Sequence, residues 1–293
     1  MDMELIESSF EIVDNSKDAE FIIAQSTLWN GVVTKDLKKT IYIAVEPPLS
    51  SHRIECYNLF HQFHTVITHN PISSNEFAFT ENDEAQFFPV RSDPFTPITR
   101  KDTRLRNRGV FYAGMIGAYE DVPDSCGGIN ITGLRKILGD YFKDNFKGSK
   151  FIGVGWDGQK TKVAQWRKDK MVNIDESECD FVLALENTIY PNYLYEKIWD
   201  GINTDRVTLY LGDPNIENHI PIDCFIDLRP FFDTKTKVFD TMGLGRYLNN
   251  MSQKTYDQIL KNAREFRETS KGKYNQLQKE LTEFIIKRIK NEE

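Results

Sequence analysis

Two acids, an amide, a lysine and a tyrosine stand close together in one short stretch. Glu186 and Asn187 follow the apolar run Phe181 to Leu185, and Tyr193, Glu196 and Lys197 come shortly after. A carboxylate can accept hydrogen bonds from vicinal hydroxyls of a ribose or sugar, and an ammonium can meet the negative charge that grows on a leaving phosphate. Tyr193 and Asn187 can stack or hydrogen-bond; equally, they can be a packed ring and an amide that caps a loop. Arg135, at the start of a helix-like segment, is a second cation. In the first half, Glu46 closes the strand-like run Ile41 to Val45 and is followed by Pro47 and Pro48, which bar further pairing and leave the acid at a strand end. There it can act as a base facing a cleft or stand as a surface glutamate. No Asp-x-Asp pair occurs anywhere, so cations and helix N-termini have to carry phosphate charge. His61 and His64 are one helical turn apart, yet no carboxylate completes a ligand set, and no metal site is expected.

These residues need elements to hold them. Phe181 to Leu185 has the unbroken apolar composition of a central parallel strand, which places Glu186 and Asn187 at the carboxyl end, where such sheets bind ligands. Pro191 precedes a helix expected over Tyr193 to Ile202, and Val207 to Leu211 resumes strand composition before Gly212-Asp213-Pro214 ends it. Upstream, strands are expected over Phe21 to Ala24, Thr40 to Val45, Thr65 to Thr68, Val110 to Gly114 and Phe151 to Val154, with helices over Arg53 to Phe63 and Asn130 to Asn145. That alternation points to an α/β fold. The Pro-rich stretch from Asn70 to Arg108 suggests a loop or insertion, and the basic segment from Lys160 to Lys170 a charged surface loop. After Asp227 the chain should be mainly helical, since Tyr256, Ile259, Leu260, Ala263 and Phe266 share one face.

Composition sets the limits. The chain has 293 residues, 40% of them hydrophobic and 28% charged, enough for two ordinary cores. A net charge of −7 argues against nucleic acid as a partner. The four cysteines form no C-x-x-C pair, so neither zinc nor a disulfide framework is indicated. No stretch has the eighteen or more apolar residues of a membrane span, and residues 1 to 20 lack the pattern of a signal peptide.

The stretch from 179 to 227 resembles the donor-binding motif of the α1,3/4-fucosyltransferases, glycosyltransferase family ten. Phe181, Leu183, Glu186, Asn187, Tyr193, Glu196, Lys197, Val207, Tyr210, Gly212, Phe225 and Ile226 match in order. The chain departs at Leu194-Tyr195, where the family has Val-Thr, and at Thr208, where it has Pro. The resemblance implies an inverting transferase that moves L-fucose from GDP-fucose to a hydroxyl of an acceptor glycan, with α1,3-type linkage. Its fold would be two facing Rossmann-like domains (GT-B type) with C-terminal helices. The limits would be 1–107 for an acceptor-side domain, 108–250 for the GDP-sugar domain and 251–293 for a helical tail. Lys197 and Arg135 would bind the donor phosphates, Glu196 the ribose, and Glu186, Asn187 and Tyr193 the rest of the donor; Glu46 would be the base. No cofactor would be required, though a divalent cation could stimulate. Without a membrane segment, the protein would be cytoplasmic, of soluble microbial or viral type, or else a trimmed Golgi protein. Another NDP-sugar as donor, or a non-catalytic nucleotide- or glycan-binding protein on the same scaffold, stays open.

Overall fold

The computed structural model describes residues 6, 7, 9–12, 18–25, 39–44, 65–68, 98–116, 128–156, 166–191, 193, 194 and 196–290. Glu46, the helix expected over Arg53 to Phe63, and the Pro-rich stretch up to residue 97 lie outside them. The chain divides into two compact units, one of residues 1–90 with 270–293, the other of residues 91–269. The sequence sets its limits instead at 107/108, before the strand-like run from Val110, and at 250/251.

The first unit carries three parallel strands in the order β1-β2-β3: β1 is Ile22–Gln25, β2 Thr40–Ala44 and β3 Thr65–Thr68. Their sequences are rich in β-branched residues, which favour strands.

The second unit holds the larger sheet. Its strands are β4 (Val110–Ala113), β6 (Lys150–Ile152), β7 (Phe181–Leu185), β9 (Val207–Leu211) and β10 (Ile226–Asp227), all parallel in the order β10-β9-β7-β4-β6. β5 (Ile129–Asn130) pairs antiparallel with β8 (Thr188–Ile189) in a separate ribbon. Counted along the chain, the first strand of the sheet lies between the second and the third. Strand order therefore reverses between β4 and β7, and that reversal opens a crevice at the carboxyl ends.

Helices cover both faces. Along β4, Val110 and Tyr112 join the core built with Leu134, Leu138 and Phe142 of α1 (Leu134–Asn145). Phe111 and Ala113 point the other way, to Ile174 of α2 (Trp166–Glu176). This alternation is the period of two that a strand imposes. α3 (Glu196–Ile202) lies close against β9, because Gly201 has no side chain: a Cβ there would stand 2.4 Å from Thr208 Oγ1. β11 (Phe232–Asp233) and β12 (Val238–Phe239) form a hairpin before α4 (Thr241–Asn250) and the long α5 (Gln253–Lys290). Leu244 and Leu248 of α4, with Tyr256 and Leu260 of α5, close the core.

Two expectations change. The helix expected from Asn130 begins only at Leu134, because Asn130 is spent on the ribbon with β8 and its side chain accepts from Thr132 N at 3.0 Å. The basic segment expected as a surface loop up to Lys170 runs into α2, and Lys170 is buried, its Nζ 2.7 Å from Asp200 Oδ2 of α3. A lysine read by composition looks solvated; a partner distant in sequence takes it inside.

Among the described residues no helix is long and apolar enough to cross a membrane.

Candidate donor site at the carboxyl edge of the second sheet

β7 delivers Glu186 and Asn187 to the crevice beside β4. Glu186 is fully buried, and its backbone N–H still donates to Leu211 O at 3.0 Å, so the pairing with β9 persists one residue past the strand. Its carboxylate accepts from Lys197 Nζ at 3.1 Å. Lys197 sits in the first turn of α3, with a side chain 11% exposed and a second carboxylate, Glu196, 3.7 Å away. Burial by itself would lower the pKa of this ammonium; Glu186 and Glu196 outweigh it, and the group lies above the ordinary lysine range.

Gly212, just past β9, makes room for this pair. A Cβ there would stand 2.4 Å from Glu186 Cγ and 2.5 Å from the hydroxyl of Tyr210. That hydroxyl accepts from Asp213 N at 2.9 Å, and burial followed by the nearby Glu186 raises its pKa well above the usual phenol value.

The second cation arrives from the other side of the crevice. Arg135, in the first turn of α1, is buried; its Nη1 donates to Met115 O at 3.1 Å and its Nη2 to Asn187 Oδ1. Ile131 N donates to Asn187 O at 3.2 Å, so the β5–β8 ribbon draws the start of α1 onto the loop after β7. Arg135 Nε has no hydrogen-bond partner among the described residues.

Of the residues that the sequence marks for the donor, the described structure holds all six in the second unit. Arg135 with Asn187, and Lys197 with Glu186 and Glu196, form a pair and a triad at the end of β7. Tyr193 is buried in the turn before α3, where its backbone N–H donates to Tyr190 O at 3.1 Å. Glu46 lies outside the described residues. Sequence reasoning misses Lys170 and Asp200, whose buried pair ties α2 to the helix that carries Lys197.

Among the described residues no group of three or more His, Cys, Asp or Glu could hold a metal ion. The arrangement offers one buried and one largely buried cation, acids that can orient hydroxyls, and a crevice at the carboxyl ends of parallel strands, which together could bind a diphosphate.

Residues 148–280, just under half of the chain, match the model of glycosyltransferase family 10 (fucosyltransferase), C-terminal part. The resemblance first seen over 179–227 lies inside that range; Arg135 and Tyr112 lie outside it. The mouse 4-galactosyl-N-acetylglucosaminide 3-alpha-L-fucosyltransferase 9 is 34% identical over 85 residues, which is 28% of this chain and 23% of that one. The GDP-fucose protein O-fucosyltransferase 3 of Xenopus tropicalis is 42% identical over 41 residues, 14% of this chain and 9% of that one. The chain thus matches less than a quarter of the length of either relative. A crystal structure of an alpha1,3-fucosyltransferase with GDP aligns with 88% of this chain and 74% of its own, at a TM-score of 0.48 and 12% identity. One with GDP-fucose aligns with 87% and 86%, at 0.44 and 11%.

Proposed function

We propose that the protein is an inverting glycosyltransferase that moves L-fucose from GDP-fucose to a hydroxyl of an acceptor glycan, with α1,3-type linkage. The supporting observation is the meeting of Lys197 with Glu186, and of Arg135 with Asn187, at the strand-order reversal of the second sheet. The first pair lies within the stretch that matches the fucosyltransferase model. The name of the mouse relative favours the α1,3 type, and that of the Xenopus relative supports GDP-fucose as the donor.

In this mechanism the bond between the anomeric carbon and the β-phosphate oxygen breaks, and its electron pair stays on GDP. Lys197 and Arg135 oppose the charge that grows there. Their own partners hold them in position before the donor arrives, so little reorganisation is needed at the moment of reaction. Glu196 accepts hydrogen bonds from the ribose hydroxyls. The acceptor oxygen bonds to the anomeric carbon from the opposite face and loses its proton to a base, the role assigned to Glu46. No cofactor is required, and a divalent cation is at most stimulatory.

Nucleotide-dependent melting tests the donor. GDP at a hundredfold excess over its dissociation constant should add about 2.7 kcal/mol of stability, with UDP and ADP adding far less. GDP-fucose without acceptor should be hydrolysed slowly to GDP. Equal shifts from the three nucleotides would remove GDP as the donor nucleotide; GDP binding without any hydrolysis or transfer would leave a binding protein.

A further inference from the structure

Tyr112 is the third residue of β4, on the face that packs against α1. Its ring meets Trp156 edge-on at 6.2 Å and lies 6.1 Å from Phe151. From there the hydroxyl folds over Gly114, where a Cβ would stand 2.2 Å from it. The same Cβ would stand 2.6 Å and 2.9 Å from two carbons of the ring, so the glycine makes room for the ring edge as well as its oxygen.

That oxygen is buried and has no hydrogen-bond partner among the described residues. A buried hydroxyl without a partner has given up its hydrogen bonds to water, so each such group calls for an explanation, a bound ligand among them. Trp156, beside it, spends its own indole N–H on Gly114 O at 3.0 Å. The next residue, Met115, gives its carbonyl to Arg135 Nη1 at 3.1 Å, so the guanidinium and the phenol share one short loop. Arg135 Nε, also without a hydrogen-bond partner among the described residues, adds a second unused donor there. Burial, above all, raises the phenol's pKa even though Arg135, Lys197 and Lys170 pull it down and Glu196 raises it further. A hydroxyl donor on the loop that holds the Arg135 guanidinium suits an anion.

We propose that the Tyr112 hydroxyl is a donor-binding group that hydrogen-bonds a non-bridging phosphate oxygen of the bound nucleoside diphosphate. It works beside Arg135 and Lys197 and keeps its proton throughout, while the proton of the acceptor hydroxyl goes to the base. This role rests on the transferase reading for the identity of the nucleotide, but not for the presence of a diphosphate site.

Titration calorimetry on the full chain, with GDP, inorganic pyrophosphate and guanosine as probes, tests it. Tyr112→Phe should weaken GDP and pyrophosphate by roughly ten- to a hundredfold, the worth of one hydrogen bond to a charged group, and leave guanosine unchanged. Unchanged GDP and pyrophosphate affinity, or an equal loss for guanosine, overturns the proposal. If the unaltered protein binds pyrophosphate yet neither prefers GDP nor cleaves GDP-fucose, the transferase reading fails, and the variant's pyrophosphate affinity still decides the role of Tyr112. If it binds neither GDP nor pyrophosphate, both fall. Should Tyr112→Phe not fold, a fluorotyrosine placed at 112 keeps ring and hydroxyl, and its fluorine resonance should move on adding pyrophosphate; an unmoved resonance overturns the proposal.

Discussion

Lys197 Nζ stands 3.1 Å from Glu186 Oε2, joining the first turn of α3 to the end of β7 in the interior of the second unit. Neither charge is isolated, and each holds the other where a diphosphate would need a fixed cation. Removing one partner leaves the other buried alone, which typically costs about 3–5 kcal/mol. Lys197→Met should therefore lower stability by that order and abolish measurable GDP binding. The double variant with Glu186→Gln should regain much of the stability but none of the affinity, as read by chemical denaturation and calorimetry.

Gly212→Ala tests whether the acid is held by packing. The new methyl would press on Glu186 Cγ and the Tyr210 hydroxyl, at 2.4 and 2.5 Å, and both belong to side chains with nowhere open to go. Overpacking of this kind typically costs about 1–3 kcal/mol. GDP affinity should fall with it, because displacing Glu186 moves Lys197. A melt and a GDP affinity equal to those of the unaltered protein would mean that the glycine serves neither.

Arg135→Lys keeps the charge but loses the fork that bridges Met115 O and Asn187 Oδ1. Affinity for GDP should drop about tenfold or more by calorimetry. An unchanged affinity would show that a point charge suffices.

Glu46→Gln keeps size and hydrogen bonding yet cannot take a proton. If Glu46 is the base, turnover at saturating donor and acceptor should fall by roughly a hundred to ten thousandfold with GDP affinity almost unchanged. Near-normal turnover would place the base elsewhere.

Chelation separates cation-assisted from metal-dependent transfer. With Lys197 and Arg135 opposing the leaving charge, activity in EDTA should persist at least in part. Complete loss, restored by a single divalent ion, would mean a metal takes a share that no residue here supplies.

Much of the second unit is legible in the amino-acid sequence alone. Composition bounds Phe181–Leu185, Val207–Leu211 and, in the first unit, Thr65–Thr68 at the residues where the strands begin and end. All three are short runs rich in apolar and β-branched residues, bounded by polar ones or a glycine. The placement of Glu186 and Asn187 at a carboxyl end follows from that. Arg135, Glu196 and Lys197 stand out by type and motif. Which of them meet is not legible, because contact across a sheet depends on strand order. Arg135 reaches Asn187 only because β4 and β7 are neighbours and the β5–β8 ribbon draws α1 toward the loop after β7. Lys170 and Tyr112 escape notice for the same physical reason. A lysine in a basic run and a tyrosine in an apolar strand look like surface and core; only Asp200 on α3, distant in sequence, takes the lysine inside, and only the fold leaves the buried Tyr112 hydroxyl without a hydrogen-bond partner among the described residues.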